Sequence, residues 1–297
     1  MWNKASPPFL GCDAEFDDAQ IVLFGAPFDS TASYRPGSRF GSRAMREESF
    51  GIETYSPMLD ADLSECRVFD AGDPELCIGD AKRALAEIGR ISGEILEAGK
   101  LPVMLGGEHL VTLAAVREAV KRHPDLCMIH FDAHTDLRTD YLGARLSHAT
   151  VLRRCWELLG DGRIYQFGIR SGLREEFQWA KNHTVLHPYN LAGLKQAVEV
   201  IGKRPVYLTI DLDVLDPSIF PGTGTPEPDG VSFRELAGAA ELAAANCRIV
   251  GCDLVELAPA LDQSGVSTIV ACKLLRELLL TLSAARKNPC ESGRPGD

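Results

Sequence analysis

Short apolar runs recur along this chain with helical stretches between them, and that alternation restricts the folds open to it. Runs at 21–25, 67–69, 101–105, 126–131, 163–168, 184–186, 206–210 and 248–254 read as strands. Several are continuously apolar, as strands buried on both faces are. Between them, residues 79–99 place Ala84, Leu85, Ile88, Ile91, Ile95 and Leu96 on one helical face before Gly99. Further helices are expected over 110–121, 147–159, 191–201, 232–246 and 266–285. Strands joined by helical crossovers make a mainly parallel sheet of about eight strands covered on both faces, an α/β fold.

No composition shift or low-complexity linker divides the 297 residues, so a single domain over 1–297 is expected. Its ends are read as an N-terminal surface arm, 1–20, and a polar tail, 287–297. Residues 26–46 are rich in Gly, Pro, Ser and Arg and show little periodicity. A long irregular loop in a compact domain is usually functional, and this one is expected to line a substrate entrance, from this subunit or a neighbour.

A hydrophobic content of 45% and a charged content of 25% are those of a globular protein. The net charge of -11 speaks against nucleic acid or an anionic membrane surface as partner and is compatible with a small cationic substrate. No apolar run reaches the roughly 18 residues a membrane span needs. The nine cysteines include no Cys-x-x-Cys pair and are read as small buried side chains in a reducing compartment, hence a cytoplasmic protein.

Two of the strands end in acid. The run 126–131 leads into Asp132-Ala133-His134-Thr135-Asp136, and 206–210 leads into Asp211-Leu212-Asp213. Side-chain alternation lets Asp132, His134 and Asp136 converge on one side. His109 follows Gly106-Gly107-Glu108 at a third strand end, where glycine permits a sharp turn. His130, inside its apolar run, is expected to be a hydrogen-bonded structural residue, and Asp216, before Pro217, a turn residue. Four carboxylates with two neutral imidazoles carry the charge that two divalent ions neutralise. Oxygen-rich ligands without thiolate favour Mn. A metal pair about 3.5–4 Å apart lowers the pKa of a shared water enough for hydroxide near neutral pH. Metal-assisted hydrolysis is the reaction class expected.

The segments Gly106-Gly107-Glu108-His109, Asp132-Ala133-His134-Thr135-Asp136 and Asp211 through Pro217 resemble, in order and spacing, the three metal-binding signatures of the ureohydrolases, the arginase and agmatinase superfamily. The resemblance runs from about Ile21 to Ala285. Tyr34 to Gly41 and Gly222 to Pro228 are similar to the agmatinase branch in particular. The resemblance implies a three-layer α/β/α fold around an eight-stranded parallel sheet and two Mn ions per subunit. One ion would be ligated by His109, Asp132, Asp136 and Asp211, the other by Asp132, His134, Asp211 and Asp213, with Asp136 orienting the nucleophile. It assigns Glu256 to the guanidinium, His148 to substrate binding and proton delivery, and Thr225 to the guanidinium pocket. Many relatives carry Gly after that histidine; here it is Ala149. Trimers or hexamers are usual in the family, so a homo-oligomer is expected.

The implied reaction is hydrolysis of a guanidino compound to an amine and urea. Arginases use an Asn and a Ser after the Asp-x-His-x-Asp run to hold the amino-acid end of arginine, whereas this chain has Leu137-Arg138-Thr139-Asp140-Tyr141. Agmatine, yielding putrescine, is therefore the expected substrate, with Asp140 or Tyr141 receiving its distal ammonium. Arg138 and Arg145 keep a guanidino acid open, of the guanidinobutyrate, guanidinopropionate or formiminoglutamate type. A non-catalytic relative with a binding or regulatory role is the other alternative. A two-metal phosphoesterase would need a phosphate cradle, and none is evident near the acidic strand ends.

Overall fold

The computed structural model describes residues 2–287. In chain order its elements are β1 (Ile21–Ala26), α1 (Gly41–Glu48), β2 (Tyr55–Ser56), β3 (Ala61–Asp62), β4 (Val68–Asp70), α2 (Ala81–Glu97), β5 (Leu101–Gly106), α3 (Thr112–Arg122), β6 (Cys127–Phe131) and α4 (Val151–Leu159). There follow β7 (Ile164–Ile169), α5 (Arg174–His183), β8 (Val185–Pro188), α6 (Leu194–Ile201), β9 (Pro205–Asp211), α7 (Phe233–Asn246), β10 (Arg248–Val255) and α8 (Val266–Lys287).

Eight strands form one parallel sheet in the order β4-β1-β5-β10-β9-β6-β7-β8, so the α/β expectation holds. The pleat sends alternate side chains into two cores. Leu101, Val103 and Leu105 of β5 join Val206, Leu208 and Ile210 of β9 on the face covered by α1, α6, α7 and α8. Met104, Met128 and Tyr207 face the opposite way, toward α2, α3 and α4. The central strands are therefore largely apolar, because neither of their faces meets water, and His130, Gln166, Thr209 and Asp253 are buried polar exceptions. Helix starts are capped where the sequence offers a cap. Asp80 accepts from the backbone N–H of Lys82 and Arg83, and Ser232 with Glu235 forms a capping box on α7.

Three local expectations need correction. The segment 26–46 is not loop throughout, because α1 begins at Gly41 and buries Met45 and Arg46. Arg46 lies against Asp70 and Asp73, an ion-paired burial that leaves no apolar stripe to read. Helix α5 has no apolar stripe in the sequence, because its buried residues are only Glu176 and Ala180. The N-terminal arm is not confined to the surface: Phe9 and Cys12 are fully buried, the Phe9 N–H donates to Asp70 at 2.9 Å, and Asp13 pairs antiparallel with Phe69. Single anchors of this kind carry no periodic signal. Of the tail 287–297, only Lys287, the last residue of α8, is among the described residues.

The eight described cysteines are free, six of them buried. Among the described residues no helix is long and apolar enough to cross a membrane.

Candidate active site

The four central neighbours β5, β10, β9 and β6 end on the same edge of the sheet, the position where ligands bind in open α/β sheets. After β5 the chain turns through Gly107, where an added Cβ would lie 2.0 Å from the carbonyl oxygen of Phe28. That close approach delivers His109. Beyond β6, alternation is kept: Asp132, His134 and Asp136 face the site. The Ala133 N–H donates to Asp213, and Thr135 donates its hydroxyl proton to Glu176. Asp211 closes β9, and its Oδ1 accepts from the Asp213 N–H at 2.9 Å. Glu256 follows β10, and its Oε1 accepts from the His109 N–H at 2.8 Å. Asp136 and Glu256 both hold positive φ, 53° and 67°, a backbone cost for non-glycine residues that tends to gather at functional positions.

The donor atoms fall into two groups sharing one carboxylate. His109 Nδ1 lies 3.1 Å from Asp132 Oδ2, 3.3 Å from Asp136 Oδ2 and 3.2 Å from Asp211 Oδ2. His134 Nδ1 lies 2.9 Å from Asp213 Oδ2 and 3.5 Å from Asp132 Oδ1. Asp132 thus offers one oxygen to each group. His109 Nδ1 is fully buried without a hydrogen-bond partner, aimed among three carboxylate oxygens.

The electrostatics ask for a cation. Burial pushes Asp136 up to about 7, aided by the charge of Asp132. Burial, Asp213 and Asp132 raise Asp211 well above the usual carboxylate range. Burial works to lower the pKa of His109, but the surrounding carboxylates outweigh it and hold the imidazole well above its ordinary value. His134 is raised likewise, chiefly by Asp213 against burial. The carboxylates thus favour positive charge at both imidazoles, the charge that a pair of cations would supply. An oxygen-rich donor set with an orphaned imidazole nitrogen fits divalent metal.

His130 lies close enough to His109 and Asp132 to form a third possible ligand. Its nitrogens are already engaged: Nε2 bonds Asp132 Oδ2 at 2.7 Å, and Nδ1 accepts from the Gln166 amide at 3.2 Å. It orients Asp132 from behind.

A cavity of about 270 Å³ opens over these groups. His109, His134, Asp136, Asp211, Asp213, His148, Thr225 and Glu256 all line it. Asp132 is wholly buried behind them. Burial pushes Glu256 well up, as does neighbouring Glu108. Burial depresses His148 to about 4, so its ring is neutral at pH 7. Thr225 reaches Asp213 Oδ2 at 3.4 Å.

Asp140 is not part of the cavity lining and is exposed. Beyond Asp136 the chain reverses through a tight hairpin in which Tyr141 and Ala144 exchange backbone hydrogen bonds at 2.9 Å. The hairpin keeps Tyr141 on the cavity and puts Asp140 outside. The cavity lining thus gives no support to Asp140 as the receiver of a distal ammonium, and it includes Tyr141.

Ser33, Ser171 and Glu176 also line the cavity, and no motif in the sequence points to them. Ser33 Oγ lies 3.2 Å from His148 Nε2. Thr31, two residues earlier, accepts from the His148 N–H at 3.1 Å and donates its own N–H to Glu108 at 2.9 Å. The loop after β1 therefore holds His148 from above. Its composition marked it as functional, but no spacing singled out Ser33.

A sequence profile described as the arginase family matches residues 19–281. The chain belongs to the arginase family. It is 48% identical over 276 residues to the agmatinase of Bacillus subtilis, covering 92% of this chain and 95% of that one. It is 38% identical to the N(1)-aminopropylagmatine ureohydrolase of Thermococcus kodakarensis, over 82% and 84% of the two chains. The agmatine ureohydrolase of Thermoplasma volcanium superposes with a TM-score of 0.87 at 32% identity, over 96% of this chain and 97% of that one. This arginase-family protein is a metal-dependent amidinohydrolase, and the His/Asp groups of its cavity are of the kind a binuclear metal family uses.

Proposed function

We propose that this enzyme hydrolyses agmatine to putrescine and urea with two Mn²⁺ ions. The observation that carries this is one cavity, lined from four adjacent strand ends, that holds Glu256 beside the two His/Asp groups. The similarity to agmatinases supports the substrate. His109, Asp132, Asp136 and Asp211 would hold one ion, and Asp132, His134, Asp211 and Asp213 the other. When bound, such a pair supplies a water acidic enough to act as hydroxide near neutral pH and polarises the group under attack.

The remaining work falls to side chains. Glu256 faces the guanidinium, a planar, permanently charged fork that a carboxylate holds by paired hydrogen bonds. The backbone N–H of His109 holds one Glu256 oxygen and so fixes the direction of that fork. Asp136 accepts a hydrogen bond from the attacking water and orients it toward the guanidinium carbon. His148, neutral in the resting enzyme, accepts a proton and passes it to the departing amine. Ser33 and Tyr141 keep its ring in place, Tyr141 edge-on at 5.8 Å between ring centroids. Thr225 closes the pocket from the side of Asp213.

A guanidino acid is the second reading, and Arg138 favours it. Arg138 lines the cavity, with its guanidinium 4.5 Å from the Tyr141 ring centroid, and a distal carboxylate would pair with it where a distal ammonium would not. Urea release from agmatine, arginine, guanidinobutyrate and guanidinopropionate, each with Mn²⁺, separates these. Agmatine is expected to be turned over fastest. Preference for a guanidino acid would replace the substrate, and no urea from any compound would sink the catalytic reading. We place the enzyme in the cytoplasm as a homo-oligomer, trimer or hexamer, a state that light scattering on the purified chain checks.

A further inference from the structure

Asp253 on β10 is a buried acid to which the mechanism above gives no task. It is 0% exposed and surrounded by hydroxyls from three directions. Tyr207 donates to its Oδ2 at 2.7 Å, Thr112 donates to the same oxygen at 2.9 Å, and Thr209 donates to Oδ1 at 2.6 Å. Burial raises its pKa, while His109 and the three hydroxyls act to lower it; in the ionised form the carboxylate only accepts, and all three hydroxyl protons are then committed to it. Thr209 then has only lone pairs left to offer. Its Oγ lies 2.9 Å from His109 Nε2, so that nitrogen carries hydrogen and donates. In the neutral ring that a cation requires, the lone pair of His109 therefore lies on Nδ1, the buried nitrogen facing Asp132, Asp136 and Asp211.

We propose that Asp253 is a positioning residue. Acting through Thr209, it fixes the N–H of His109 on Nε2 and keeps Nδ1 available to a cation at the strand ends. This rests on His109 being a metal ligand, as proposed above. The direction of the relay matters because a neutral imidazole has one donor and one acceptor nitrogen. A reversed relay would put the N–H on Nδ1, against the metal. Outer partners of this kind orient a ligand and set its tautomer.

Asp253→Asn reverses the relay with little change of shape. Two hydroxyls donate at the Oδ2 position, so the amide oxygen stays there and the NH₂ falls beside Thr209. It donates to Thr209 Oγ and turns that hydroxyl proton toward His109 Nε2. Thr209→Val removes the hydroxyl and keeps the branching, whereas Thr209→Ser keeps the hydroxyl.

The test is titration of the full-length metal-free chain with Mn²⁺ alone, reading free Mn²⁺ by electron paramagnetic resonance. The binding step that uses His109 is identified as the one lost in His109→Ala. Asp253→Asn and Thr209→Val are expected to weaken that step by about 10- to 100-fold and to leave the step that uses His134 unchanged. Thr209→Ser is expected to restore it. Equal weakening of both steps marks a general loosening of the fold and overturns the proposal, as does unchanged binding. If Asp253→Asn does not fold, the Thr209→Val and Thr209→Ser pair decides alone. A parent chain that binds no Mn²⁺ refutes the metal reading itself. Two normal steps in the parent with unaltered variants refute only the role of Asp253.

Discussion

Glu256 holds a left-handed backbone conformation, φ 67°, in a place where burial and Glu108 both oppose its charge. A carboxylate kept there at such cost is explained by a cationic partner, and the proposed guanidinium supplies one. Glu256→Gln keeps an oxygen for the His109 N–H and removes the charge. Losing one side of a buried charged pair costs about 2–5 kcal/mol, so kcat/KM for agmatine is expected to fall by roughly 30- to several-thousand-fold. Mn²⁺ binding should survive, since Glu256 is not assigned as a ligand. Steady-state urea release beside a Mn²⁺ titration checks both halves, and near-normal kcat/KM would remove Glu256 from the guanidinium. At this scale the sequence was most informative where ligands sit two apart at a strand end, as in Asp132, His134 and Asp136. It was silent on Ser33, which reaches the cavity from a loop without periodicity. It left Asp140 and Tyr141 undivided, because one hairpin decides which of two neighbours lines the cavity.

Elements were legible in proportion to how completely they bury. The central sheet strands announce themselves because both faces are covered and their runs are largely apolar. Helices α1 and α5 do not, since α1 buries an ion-paired arginine and α5 little more than Glu176 and Ala180. The junction between β5 and α3 shows why a strand end makes a site. Gly107 passes so close to Phe28 that a methyl group would lie 2.0 Å from a carbonyl oxygen and 2.7 Å from its carbon. Backbone has no alternative rotamer with which to yield. Gly107→Ala is therefore expected to destabilise the protein by about 3 kcal/mol or more, at the upper end for overpacking, and to displace His109. Thermal unfolding followed by circular dichroism reads the first effect and Mn²⁺ affinity the second. A variant with parental melting temperature and metal affinity would mean that β1 and β5 part here without cost.

For the molecule as a whole, the sheet order places four strand ends side by side, and with them Asp132, Asp136, Asp211 and Asp213, in a chain already carrying a net charge of -11. Folding concentrates like charge that the unfolded chain keeps apart, so a ligand that neutralises it binds the folded state selectively. Binding of this kind stabilises by about 2.7 kcal/mol at a free concentration 100 times the dissociation constant. At roughly 2–4 °C per kcal/mol for a chain near this size, removing the metal is expected to lower the melting temperature by about 5–10 °C. The sign of the salt effect separates this cause from a general loss of packing. Repulsion between the bared carboxylates is strongest at low ionic strength, where the Debye length is about 30 Å at 0.01 M. The gap between metal-loaded and chelator-treated protein should therefore be widest there and narrow as salt is added. Calorimetry with and without EDTA at two salt concentrations reads both quantities. An unchanged melting temperature on chelation would mean that the acidic strand ends hold no metal in the folded enzyme. A gap that does not depend on salt would mean that charge repulsion is not what the metal relieves.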